Sequence, residues 1–265
     1  MGNYSGHGPA IRNAEEINKI EKACRIVAET LSLVEKNVKP GVRTIELDRI
    51  AEDYIRTKNG IPAFKGYKVD DKYFPNTLCI SVDEEIVHGM PGNRKLEEGE
   101  IVSIDCGCKL NGYFGDSALT IAVGEISEEK KKLMKVTEES LMLGLEQAVD
   151  RKKLFDISKA IQEHCEKNGF SLTRELTGHG IGKNLHEEPS IPNFVPPLLH
   201  RNMFPNIKLQ SGMALAIEPM VHMGAQQVVT LSDGWTVITK DRSPAAHYEH
   251  TVIVMENKPL ILTLR

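Results

Sequence analysis

No stretch of this 265-residue chain is apolar for long enough to cross a bilayer. The opening MGNYSGHGPAIR has no apolar core of the kind that marks a secretory signal. Myristoylation is disfavoured as well, because Gly6 stands where that signal wants Ser or Thr. Cysteine is scarce and odd in number: the five show no framework spacing, so reduced thiols in a cytoplasmic protein are expected. There is no surplus of positive charge, and a net charge of −4 gives no footprint for nucleic-acid recognition. The Gly-rich stretches GHGIG and GMPG lack the strand–GxxxxGK–helix setting of a phosphate loop. Cys106 and Cys108 share a strand face, but no second cysteine pair completes a tetrahedral zinc site, so they read as buried structural thiols. What is left, at 40% hydrophobic and 26% charged residues, is an ordinary globular protein.

What is present repeats. Asn13 and Glu16 form a capping-box pattern, and Ile17, Ile20, Cys24, Val27, Leu31, Val34 and Val38 follow at alternating spacings of three and four. This predicts a long helix stopped at Lys39-Pro40-Gly41. A second helix is expected from about Thr44 to Asn59-Gly60, then strands near Leu78–Val82, Ile101–Cys106 and Tyr113–Val123. The order then begins again, with Ser127 capping a long helix to about Val149 and a shorter one ending at Asn168-Gly169. The two Asn-Gly stops lie 109 residues apart, and KLEEGEIVSID and KLQSGMALAIE lie 113 apart. With no Pro/Ser/Gly-rich linker between the halves, the expectation is one α+β domain over 1–265 with pseudo-twofold halves of about 13–124 and 125–265. Residues 1–12 are expected to form a flexible lead.

Superposing the halves pairs their acids. Asp105 matches Glu218, each ending its KL…G strand, and Asp116 matches Glu249, each opening the next strand. Residues two apart share a strand face, so two symmetric strand pairs aim four carboxylates at one point. Such a set either holds protons or surrounds a cation. His179, in TGHGIG, supplies an imidazole, and His88-Gly89 is its counterpart in the first half. His186, in HEEP, is not part of a zinc-binding H-E-x-x-H helix, since position 190 is Ser and Pro189 breaks the helix. His247 and His250, beside Glu249, read as strand residues. One imidazole with four carboxylates suits two divalent ions sharing bridging oxygens. Such ligands favour Mn, Fe(II) or Co, with Zn an alternative.

The series Asp105, Asp116, His179, Glu218 and Glu249, set in SIDCG, FGDS, GHGIG–HEEP, IEPM and YEHT, resembles the metal ligands of type I methionine aminopeptidases. The similarity runs from about residue 11 to 263 and includes VKPGVRTIELD and SDGWTVITKDRS. It implies the pita-bread fold, an antiparallel sheet flanked by helices, and removal of N-terminal methionine from peptides and nascent chains. By the same resemblance, Asp105 serves one metal, Asp116 and Glu249 bridge, and His179 and Glu218 complete the other, with Glu218 also shuttling protons. His88 would contact the substrate amine and leaving nitrogen, and His186 would polarise the scissile carbonyl. Phe64, Tyr67, Phe74, Cys79 and Trp235 would line the methionine pocket, with Leu185 at a position often aromatic. Two segments depart from the pattern, a loop at 68–73 and a proline-rich one at 195–207. A monomer with a ribosome contact, and no membrane partner, is the expectation carried by the resemblance. Two alternatives are a pita-bread peptidase cleaving before proline, which normally carries a further N-terminal domain, and an inactive pita-bread binding protein, which would have shed ligands.

Overall fold

The computed structural model of the protein describes residues 8–265; most of the expected flexible lead lies outside the described residues. Residues 11 and 12 correct that expectation, because both are fastened: Ile11 bridges Met213 and Arg12 N donates to Gly212 O at 2.8 Å.

Helix α1 (Ala14–Glu35) begins with the expected capping box. The Asn13 side chain accepts from Glu16 N at 3.0 Å, and Glu16 Oε2 accepts from Asn13 N at 3.1 Å. Its stripe of Ile20, Cys24, Val27, Leu31 and Val34 is fully buried. Helix α2 (Thr44–Thr57) ends where Asn59 turns left-handed at φ 60°. The second half repeats this plan with α3 (Glu128–Leu145) and α4 (Leu154–Lys167). Helix α3 stops short of Val149 because the chain turns and Val149 joins a bridge to Met255. The internal repeat extends to small details. Both short helices have 14 residues, and each uses a carboxylate at its third position to accept from the N-cap backbone: Glu46 from Arg43 at 2.9 Å, Asp156 from Lys153 at 2.8 Å. Arg43 bridges Lys95, and Lys153 bridges Lys208, so each KL…G segment docks on its own short helix.

The two halves share one nine-stranded antiparallel sheet. In the first half Leu78–Val82 pairs with Ile101–Leu110, which pairs with Tyr113–Ala122. In the second, Glu187–Pro192 pairs with Thr177–Gly180, then Ala214–Ile217, then Glu249–Ile253. The seam is the pairing of Tyr113–Ala122 with Glu249–Ile253. The helices cover one face over a core of Ile104, Cys106, Cys108, Leu119, Leu215, Ile217 and Val252. At Gly115 the strand runs so close to α1 that a Cβ would lie 2.5 Å from Cys24 N. All five cysteines are buried and unpaired, and burial pushes the Cys108 and Cys165 thiols up to about 12. The 68–73 loop forms a small antiparallel hairpin, and 195–207 carries a short 3₁₀ turn at Leu198–His200. Among the described residues no helix is long and apolar enough to cross a membrane.

Candidate metal centre and substrate pocket

The sheet register assembles the site. Residues directly opposite one another across an antiparallel pair share a face. Asp105 lies opposite Ala118, and Glu249 lies opposite the same Ala118. Asp116 sits two residues before Ala118, so all three acids project from the face not covered by helices. On the other side of the seam Ala216 lies opposite both Thr251 and His179, which carries His179 to that face. Glu218 follows directly after Ile217, its carbonyl accepting from Asn193 Nδ2 at 3.0 Å.

Asp116, His179 and Glu249 are buried, and each offers one ligand atom within 4.8 Å of the other two. His179 Nδ1 lies 2.8 Å from Gly180 O and can only donate there, which leaves Nε2 with its lone pair directed inward. That Nε2 is 3.6 Å from Glu218 Oε1. Asp105 meets Asp116 side chain to side chain. All five residues of the expected series therefore converge on one centre.

The carboxylates are poorly served by the protein itself. Asp105 Oδ1, Asp116 Oδ1 and Glu249 Oε1 are buried without a hydrogen-bond partner. Burial, then the nearby Glu218 charge, pushes Asp105 up to about 7, and burial pushes Glu218 up to about 7. Asp116 and Glu249 are held well above the usual carboxylate range by burial first and then by their acidic neighbours. Native proteins rarely leave buried oxygens unpartnered. Divalent cations would satisfy these atoms and relieve the repulsion, so the donor set fits hard or borderline metals.

Three further histidines face the centre. His88 adopts a left-handed φ of 61°, which is uncommon outside glycine and persists where the surroundings fix it. Burial, then His247, lowers its pKa to about 4, so it is neutral across the ordinary range. His186 stacks edge to face on His179 at 4.4 Å between centroids, and its Nδ1 lies 2.7 Å from the Tyr67 hydroxyl. The third is His247, read from sequence as a strand residue only. It belongs to a separate sheet, opposite Met220, so the two-residue spacing to Glu249 does not set its direction. Its buried Nε2 has no hydrogen-bond partner and lies 3.5 Å from Glu218 Oε2. His250 does face away, its Nδ1 2.8 Å from Thr263 Oγ1.

Beside the metal face is a compact apolar cluster of Phe64, Phe74, Cys79 and Leu185, flanked by Tyr67 and Trp235. Phe74 meets Trp235 edge to face at 5.3 Å. Cys79 belongs to the site face because it pairs with Asp105. Gly107, on the same face, leaves room for Phe64, whose Cε1 would lie 2.8 Å from a Cβ there. Every residue expected in the pocket is in or against this cluster. Ala63, Met90 and Phe114 also join it and were missed. Phe114 is two residues before Asp116, and that parity was a usable signal. Met90 follows a non-repetitive turn and gave none.

A sheet shared by two halves, with carboxylates and an imidazole on its open face, defines a metallopeptidase architecture. The model of metallopeptidase family M24 matches residues 18–256. A methionine aminopeptidase of Clostridium acetobutylicum is 52% identical over 96% of this chain and 98% of its own length. Methionine aminopeptidase 1 of Bacillus subtilis is 49% identical, over 95% and 98%. The crystal structure of a Thermotoga maritima methionine aminopeptidase superposes with a TM-score of 0.91 at 40% identity, covering 97% of this chain and all of the other. A Pyrococcus furiosus prolidase shares the fold, with a TM-score of 0.77 at 24% identity, but only 65% of that chain is covered. This chain belongs to the M24 metallopeptidases and, within them, to the type I methionine aminopeptidases.

Proposed function

We propose that the protein is a dinuclear-metal aminopeptidase that hydrolyses the first peptide bond of chains beginning with methionine. The observation that carries this reading is the juxtaposition of unpartnered buried carboxylate oxygens with an apolar, sulfur-containing cluster, joined where Cys79 pairs with Asp105. Asp105, Asp116 and Glu249, with His179 and Glu218, would hold two divalent ions drawn from Co, Mn, Fe(II) or Zn. Ions bound there supply Lewis acidity toward water and the peptide carbonyl.

The chain's own groups account for the remaining work. The Phe64, Phe74, Cys79, Leu185 and Trp235 walls take the unbranched thioether side chain and exclude water around it. Glu218, 3.6 Å from His179 and 3.5 Å from His247, takes the proton from the attacking water and passes it to the leaving nitrogen. His88, kept neutral by burial, hydrogen-bonds the reacting nitrogen. His186 donates to the carbonyl oxygen as charge develops there. Partners in this reading are N-terminal methionine peptides and nascent chains, met in the cytoplasm by a monomer at the ribosome, with no nucleic-acid sequence preference. The test is turnover of Met-Ala-Ser against Xaa-Pro peptides after chelation and metal add-back. Restored cleavage of the methionine peptide alone is the expected result. Preference for the Xaa-Pro peptide, or inertness with metals bound, overturns the reading in favour of a prolidase-like enzyme or a binding protein.

A further inference from the structure

The segment ahead of α1 is tied to the turn that carries His186. Ile11 and Arg12 lie on the edge of the second-half strands through the Met213 bridge and the Gly212 carbonyl. From there the Arg12 side chain, 7% exposed, reaches in to form a close ion pair with Glu187 Oε2. The other oxygen of Glu187 accepts from Asn184 N at 2.9 Å, closing the turn from within. Any side chain at Gly182 would collide with the Arg12 guanidinium, so the turn's first residue rests directly on that group. One helical turn along, Glu16 lies 3.9 Å from Arg12, accepts from the Tyr113 hydroxyl at 2.9 Å and lies 3.6 Å from Lys183. Both ends of the 182–187 turn are thus held by charges from the N-terminal side of the molecule. His186 hangs between them, immediately before Glu187.

We infer that Arg12 is a positioning residue for His186, its guanidinium clamping Gly182 and Glu187 and so fixing the backbone from which the imidazole reaches substrate. The inference rests on the proposed role of His186 at the scissile carbonyl. Removing one member of a buried ion pair leaves the other uncompensated, so the turn must rearrange to rehydrate Glu187. A displacement of about 1 Å at a catalytic donor costs up to about 100-fold in rate. Arg12 pairs with Glu187 and Glu16 and packs on Gly182, not on the five residues of the metal centre, so metal content is not engaged. Leu185 rides on the same turn, so KM is expected to rise as kcat falls.

The experiment is a double-mutant cycle between Arg12→Met and His186→Ala, with kcat, KM and metal content measured for each. Hydrogen exchange of amides 181–188 is followed in the metal-free proteins. Arg12→Met should lower kcat by about 10- to 100-fold at near-normal metal content, with any rise in KM reporting Leu185 on the same turn, and should speed exchange within 181–188. Arg12→Lys should recover part of the loss, and Arg12→Met should add nothing in the His186→Ala background. Arg12→Met/Glu187→Met leaves no orphaned charge and carries the same test if the single variant folds poorly. Additive losses, or unchanged exchange at 181–188, overturn the clamp while leaving the His186 role standing. A His186→Ala enzyme with normal kcat overturns both.

Discussion

The Tyr67 hydroxyl lies 2.7 Å from His186 Nδ1, and the two rings meet edge to face with centroids 5.3 Å apart. When the hydroxyl donates, the imidazole proton must reside on Nε2, the tautomer able to donate to a carbonyl oxygen. In that arrangement Tyr67, expected only to line the pocket, would also set the tautomer of the proposed oxyanion donor. Loss of His186 to Ala should lower kcat on the order of 10²–10³-fold. Tyr67→Phe should lower it by a smaller factor, with metal content and KM near those of the parent. Wild-type kcat in Tyr67→Phe, measured under metal saturation, would show that this bond does not select the tautomer.

Asp116 carries the second expectation. It is buried, within ligand reach of His179 and Glu249, and opposed by Asp105. Asp116→Asn removes a negative oxygen that would sit between two cations, leaving them less well screened from each other. Metal stoichiometry and activity should fall together. Two tightly bound ions with near-normal turnover, found by elemental analysis of the variant, would defeat the dinuclear assignment.

Proton release on metal uptake follows from the raised carboxyl pKa values. Asp105 and Glu218, each pushed up to about 7, still hold protons in the folded metal-free protein at pH values where an unfolded chain has released them. The sign is that these two acids destabilise the metal-free fold progressively as pH rises from the ordinary carboxyl range to about 7, and metals remove that penalty. Histidine 88, lowered to about 4, contributes oppositely: its stabilisation is lost as pH falls from 6.5 toward that value. Calorimetry in buffers of different ionisation enthalpy should therefore detect more protons displaced per metal at about pH 6 than at about pH 8.5. An equal count at both would show that Asp105 and Glu218 are already ionised before metal arrives.

The pocket makes a prediction about side chains. Phe64, Phe74, Cys79, Leu185 and the flanking Met90 pack into one cluster of soft, polarisable side chains, which would receive the first side chain of the substrate. Peptides that begin with methionine should outrun those that begin with leucine by about 10- to 200-fold in kcat/KM. Competition between the two in one reaction is the direct measurement, and equal consumption would remove the pocket assignment. Widening the wall through Leu185→Ala should narrow the ratio.

The metal face was legible in sequence because its information is local and periodic. Each acid adjoins an apolar strand, and alternation along SIDCG and FGDS fixes which side chains share a face. The repeat then pairs the halves without any structure, and the two short helices share the same arrangement of capping carboxylates. His247 escaped because alternation holds only within one continuous strand, and the chain changes sheets between His247 and Glu249. The end of α3 was overrun because a long apolar pattern does not reveal that Val149 has a better partner in Met255. The fastening of Arg12 was invisible for the same reason: its partner lies 175 positions away.

The seam between the halves has a consequence for how the protein comes into being. Asp116 exchanges bonds with Thr251 across 135 positions of chain: its amide donates to the Thr251 hydroxyl at 3.2 Å, and that hydroxyl donates back to the Asp116 carbonyl at 2.7 Å. Closing so long a loop is slow and entropically opposed. Until it closes, Asp105 and Asp116 lack the imidazole and the carboxylates that make them a chelator. A half-synthesised or half-unfolded molecule therefore lacks the complete donor set. Any ion held there would draw its ligands from both halves and so would tie one to the other across the seam.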